Sequence, residues 1–176
     1  MFDNLKGDIA RLGDGKASLR ALCRGLLSQG FQAILIYRCF RFLHERRIPG
    51  QPLRFICERW IEITTGISIP VECKVGKGLR IHHFGGIIMH PSTAVGENCT
   101  LYHHVTIGDR GGYGRSATIG NNVLIGAGAK IIGEISIGDN CKIGANAVVC
   151  QDVPDNSIVH SPVCEIKPAS PQKASS

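Results

Sequence analysis

A parallel β-helix preceded by a short helical segment is the fold this sequence predicts, and three observations predict it. An aliphatic residue returns every sixth position: Ile69, Val75, Ile81 and Ile87, then after two extra residues Val95, Leu101 and Ile107, then Ile119, Ile125, Ile131, Ile137, Ile143 and Val149. Glycine follows that aliphatic at 76, 96, 108, 114, 120, 126, 138 and 144, and asparagine stands three after it at 98, 122, 140 and 146. The first 65 residues lack this beat and repeat apolar side chains at three and four instead.

The N-terminal segment, residues 1–65, reads as helices. Leu5, Ile9 and Leu12, then Leu19, Leu22, Cys23, Leu26 and Leu27, then Ala33, Leu35, Ile36, Cys39, Phe40 and Leu43 fall at helical spacing. Leu53 to Ile63 is a further helix, and Gly30 and Ile48-Pro49-Gly50 are the expected breaks. Residues 1–60 hold eleven Lys/Arg against five Asp/Glu, so they carry the whole net charge of +6. Arg20, Arg24, Arg38, Arg41, Arg46, Arg47, Arg54 and Arg59 lie there among apolar residues. A solvated helix face is the main reading, and peripheral contact with an anionic surface such as a membrane is the other.

Residues 66–163 carry the repeat. Six residues with one large inward aliphatic describe a short strand and a corner, and three such units close a triangular coil. Coils stack as parallel strands about 4.8 Å apart, each burying its apolar face on the next. A small or β-branched residue four after the aliphatic, such as Cys73, Val105, Ala117, Ala129, Cys141 or Ala147, fills the remaining interior. Glycine and asparagine accept positive φ, so both columns are expected at tight corners. Tyr113 is expected to fill the one lapse in the ladder, giving fourteen steps and between four and five coils. After Pro154 the ladder ends, and residues 164–176 read as a flexible Pro/Ser/Lys-rich tail.

Composition narrows the function. No apolar run approaches the roughly 18–20 residues of a membrane-spanning helix, and no charged-apolar-small leader opens the chain, so a cytoplasmic protein is expected. The eight cysteines form no C-x-x-C pair or metal spacing, which predicts reduced structural thiols and no metal site. Nothing in the pattern points to nucleic acid.

Histidine is the side chain suited to taking a proton from a hydroxyl near neutral pH. His82-His83 and His103-His104 are the two clusters. Ile81 and Leu101 are one coil apart, so His83 and His103 are expected to stack on adjacent coils at an outward corner.

With these residues in hand the chain resembles the serine acetyltransferase family of hexapeptide-repeat acyltransferases. The resemblance rests on KVGKG at 74–78, IHH at 81–83 with Gly85-Gly86, VTIG at 105–108, IGAGAK at 125–130 and IGA at 143–145. It implies an all-β left-handed parallel β-helix, a homotrimer that could grow larger through its helices, and acetyl-CoA as co-substrate lying between subunits. It implies His83 as the catalytic base, and Gly108, Ala127, Lys142 and Ala145 along the CoA groove. Arg115 falls on the arginine that holds the acceptor carboxylate.

Three positions depart from the family: Ser68 replaces the aspartate that orients the histidine, His82 replaces the aspartate before it, and Ser116 replaces the histidine after the arginine. IHH at 81–83, VTIGDRG at 105–111 and VPDN at 153–156 are more similar to the branch of colanic acid and other exopolysaccharide acetyltransferases. That branch implies a sugar hydroxyl as acceptor, with Asp109, Arg110 and Arg115 as candidate contacts and His103 and His82 as further substrate-binding candidates. L-Serine is the alternative acceptor. A non-catalytic trimeric scaffold is the reading from another class, favoured by the loss of the orienting aspartate.

Overall fold

The structure is a computed structural model that describes residues 2–13, 15–112 and 114–162. Tyr113 and the tail, with Cys164, lie outside the described residues.

Four helices lead in: α1 (Phe2–Ala10), α2 (Leu19–Leu26), α3 (Gln29–Glu45) and α4 (Gln51–Thr65). Ser18 caps α2 by accepting from Ala21 N at 3.2 Å. Pro52 in the first turn starts α4, and Gly66 in the left-handed conformation ends it, donating to Glu62 O. The break after α2 falls at Leu27-Ser28 rather than at Gly30, which lies in the first turn of α3. A Cβ on Gly30 would come within 2.8 Å of Ile81, so this glycine serves close helix-to-coil packing, not chain breaking.

Fourteen parallel strands then form three faces. The first face stacks β1 (Ile67–Ser68), β4 (Ile87–Met89), β7 (Thr106–Gly108), β10 (Lys130–Ile132) and β13 (Val148–Val149). The second stacks β2 (Lys74–Val75), β5 (Ala94–Val95), β8 (Thr118–Ile119) and β11 (Ser136–Ile137), with Val153 bridging onto Ile137. The third stacks β3 (Arg80–Ile81), β6 (Thr100–Leu101), β9 (Leu124–Ile125), β12 (Lys142–Ile143) and β14 (Ile158–Val159). Consecutive strands visit the three faces in turn, which is the triangular coil the six-residue beat implies. Ladder residues from Val75 to Val149 are buried, and Cys73, Cys99 and Cys141 are fully enclosed among them.

Two details of the ladder differ from the sequence reading. Ile107 and Ile119 occupy successive faces although they are twelve residues apart, so residues 109–112 and 114–116 belong to the connection between β7 and β8. Leu101 accordingly pairs with Ile125, 24 residues on, where Ile125 pairs with Ile143, 18 residues on. Met89, not Ile87, pairs with Ile107, while Ile87 pairs with Ile67. The two extra residues therefore bulge from the corner between Ile81 and Ile87, where His83 stands. Alternating apolar residues on one strand hid this, because either fits the interior.

The asparagine column does turn the corners: Asn98, Asn122, Asn140 and Asn146 have φ of 56–59°. The glycine column has another cause. A Cβ on Gly76, Gly96, Gly120 or Gly126 would lie 2.6–2.9 Å from backbone of the next coil, so those glycines permit coil-to-coil approach at ordinary φ.

The helices close the open end of the stack. Arg38, expected on a solvated face, is buried and donates to Val75 O and Gly76 O, both at 2.6 Å, and to Asp8 at 2.9 Å. Tyr37 donates to Cys73 O at 2.7 Å, and Asp8 accepts from Leu79 N at 2.9 Å. Strand β2 is the edge of its face, so its carbonyls have no further strand to meet and take side-chain donors instead. Burial outweighs Arg38 and holds the Asp8 carboxyl above its usual range.

Candidate active site

The site is built on the prism edge where the third face turns into the first. Four successive turns meet there, beginning at His82, Tyr102, Gly126 and Gly144. Most coils place glycine after the ladder residue, but the first two open that column into a stack of His82 on Tyr102, with ring centroids 4.9 Å apart. Burial, then Arg80 and His83, hold the His82 imidazole below its usual pKa, favouring the neutral ring.

His83 occupies the two-residue bulge with a φ of 64°, a left-handed conformation uncommon for a residue other than glycine or asparagine. The next glycines, Gly85 and Gly86, also have positive φ, and Gly85 O accepts from His104 N at 2.9 Å. The bulge is thus tied to the coil above and pushes the imidazole outward. His83 and His103 meet edge to face at 5.7 Å, as the coil spacing predicts. Nδ1 of His103 is buried and has no hydrogen-bond partner among the described residues.

Above His103 the same column continues as Ala127 and Ala145. Gly128 N donates to His103 O and Asn146 N donates to Ala127 O, which aligns the three residues along the edge. The small side chains leave an open groove of about 360 Å³ lined by His103, His104, Ala127, Gly128, Lys130 and Ala145. Lys130 anchors it, donating to His104 O at 2.7 Å and Thr106 Oγ1 at 3.0 Å. A larger hollow of about 420 Å³ lies between α3 and the second face and contains no histidine.

Other sequence candidates stand elsewhere. Gly108 ends β7 on one flanking face and Lys142 begins β12 on the other, so both stand off the histidine edge. Asp109 and Arg115 lie in the connection between β7 and β8, at the edge between the first and second faces. There the Asp109 carboxylate accepts from Gly114 N at 3.0 Å, which holds it below its usual range. Arg115 lies 3.8 Å from Glu134, both exposed, and Arg110 donates to Cys150 O. One chain therefore does not bring Arg115 and Asp109 to His83.

The three departures acquire partners. Ser68 donates to Glu62 Oε1 of α4 at 2.7 Å, so a carboxylate stands behind the position that lost its aspartate. Ser116 is buried and accepts from Thr93 Oγ1 at 3.2 Å, while its N–H donates to Ser92 Oγ at 2.9 Å. Tyr102 and Glu62 escaped the sequence reading, and Lys130 entered it only as the end of the IGAGAK run. Tyr102 could have been found from its place in the His82 column, but nothing local marks Glu62. Among the described residues no group of three or more His, Cys, Asp or Glu side chains is placed to hold a metal.

Comparison with known proteins agrees with this architecture. Residues 116–151 match the family model described as bacterial transferase hexapeptide (six repeats). Serine acetyltransferase of Helicobacter pylori is 43% identical over 92 residues, 49% of each chain. That of Synechococcus elongatus is 35% identical over 112 residues, 63% of this chain and 45% of the relative. The chain thus spans about half the length of these relatives. Among solved structures, Brucella abortus serine acetyltransferase in complex with coenzyme A superposes with a TM-score of 0.80 at 29% identity, covering 92% of this chain and 65% of that one. The soybean serine acetyltransferase apoenzyme gives 0.79 at 31% identity, covering 91% and 66%.

The repeat is that of the bacterial transferase hexapeptide model, and the fold is similar to that of solved serine acetyltransferases. None of these relatives is named for a polysaccharide pathway, so the sugar branch expected from the sequence rests on its residue pattern alone.

Proposed function

We propose that this chain is an acetyl-CoA-dependent O-acetyltransferase with His83 as general base. The observation that carries the reading is the meeting, on one prism edge, of the His83–His103 pair with the groove over Ala127 and Ala145. His83 takes the proton of the acceptor hydroxyl as its oxygen attacks the thioester carbonyl. Backbone N–H groups at the coil corner stabilise the developing oxyanion, and the departing thiolate recovers the proton from His83. No covalent intermediate on the protein is needed.

A homotrimer fits the placement of the loop. Asp109 and Arg115 leave from one edge and His83 from another, so a neighbour's loop completes the site in a threefold assembly. The named relatives make L-serine the leading acceptor. A sugar hydroxyl is the second reading, favoured by Ser116, which is buried and engaged with Thr93 and Ser92 where the family has an imidazole.

Thiol release from acetyl-CoA tests the proposal with L-serine and a panel of hexoses. The expected result is turnover with one acceptor class and a loss of about 10²–10⁴-fold in His83→Ala. Equal rates in wild type and variant would remove His83 as the base, and no release with any acceptor would favour the scaffold reading. Arg115→Ala separates the acceptors: a raised KM for L-serine supports a carboxylate contact, and an unchanged one supports sugar.

A further inference from the structure

We infer that the outer face of α4 is a docking surface for an anionic membrane. The helix is inverted relative to an ordinary surface helix. Its inner side, packed on α3 and β1, buries Ile61 and Thr65 and half-buries Arg54 and Glu58, which pair at 3.1 Å. Its outer side presents Leu53, Ile56, Trp60 and Ile63, which are 61%, 62%, 57% and 76% exposed. Spacings of three, four and three place these four on one stripe. Contiguous large apolar side chains on a surface mark a contact rather than a solvated face.

Charge selects the occupant. Residues 1–60 hold all of the +6 charge. Arg59 flanks the stripe and is paired with Glu62 at 2.7 Å, while exposed Arg46 and Arg47 lie just before the helix with no carboxylate at ion-pair distance among the described residues. Joining two copies through this face would oppose two segments of the same charge. An anionic bilayer instead offers hydrocarbon to the stripe and phosphate to the arginines, and the arrangement is that of an interfacial helix lying in the plane of the headgroups. Among the described residues no helix is long and apolar enough to cross a membrane, so the contact is peripheral.

Trp60 is the chain's single tryptophan and reports the contact directly. The full chain is mixed with phosphatidylcholine vesicles with and without one quarter phosphatidylglycerol, and followed by Trp60 emission and cosedimentation. A blue shift and at least about tenfold tighter partitioning onto the anionic vesicles, reversed by salt, is the expected result. Ile56→Ser combined with Ile63→Ser should weaken that partitioning about tenfold or more while leaving oligomer mass and thermal unfolding unchanged. Equal partitioning onto both vesicles would overturn the charge argument. No partitioning, or a blue shift without lipid that tracks a concentration-dependent doubling of mass, would overturn the proposal and assign the face to a second copy.

Discussion

The coils and the helices of this chain solve burial in opposite ways. In the coils the interior is filled by columns of Ile, Leu, Val, Ala and Cys, and among the described residues no charged side chain is buried there. In the helical segment Asp8 and Arg38 are buried as a pair while Leu53, Ile56, Trp60 and Ile63 stay exposed. The difference follows from where backbone hydrogen bonds go. Within the stack each coil's amides and carbonyls are met by the next coil, so the interior asks only for volume. At the first coil the carbonyls of Val75, Gly76 and Cys73 have no neighbouring strand, and the helices must supply donors. Polarity inside the helical segment is thus a consequence of ending a β-helix.

The sharpest way to break that comparison is to remove the capping charge. Arg38→Leu leaves Asp8 buried without its partner and two carbonyls unmet, so a loss of about 3–5 kcal/mol is expected in urea unfolding. A loss below about 1 kcal/mol would show that the pair does not cap the stack. In the coils the corresponding test is volume. Ile125→Ala should cost about 2–5 kcal/mol and Ile125→Val only about 0.5–1.5, because the fully buried ladder position cannot collapse between two coils.

Corners should respond more weakly than either interior. Asn122 holds a φ of 56°, and Asn122→Ala is expected to cost about 1–2 kcal/mol while Asn122→Gly costs less than half of that. Comparable losses for both variants would assign the cost to the lost side-chain bond from Asn122 to Asn140 instead.

The smallest effect is at His82. Its folded pKa lies below the unfolded value of 6.5, so the unfolded chain binds more protons between the two. Stability from this residue is complete above 6.5 and is lost as pH falls through that window. Thermal unfolding followed from pH 7.5 to about pH 5 should therefore show a shallower decline in His82→Gln than in wild type; parallel curves would place the shift elsewhere.

The six-residue aliphatic beat was enough to specify three faces of parallel strands, the inward thiols of Cys73, Cys99 and Cys141, and the approach of His83 to His103. Each of these depends only on how a residue relates to the one a coil away, a relation that a regular period states outright. The helical spacing in residues 1–65 was legible for the same reason. Tertiary structure decided the rest. It carried the chain from Ile107 directly to the next face at Ile119, put the two extra residues under His83 and gave Gly30 a packing role. It drew Arg38 inward, left the apolar stripe of α4 facing out, and set Arg115 on a different edge from the histidines. Periodicity is silent on these because they arise where the period fails, at bulged corners and at the end of the stack. There a residue's partner is set by which chain segment the fold carries past it, not by its distance along the sequence.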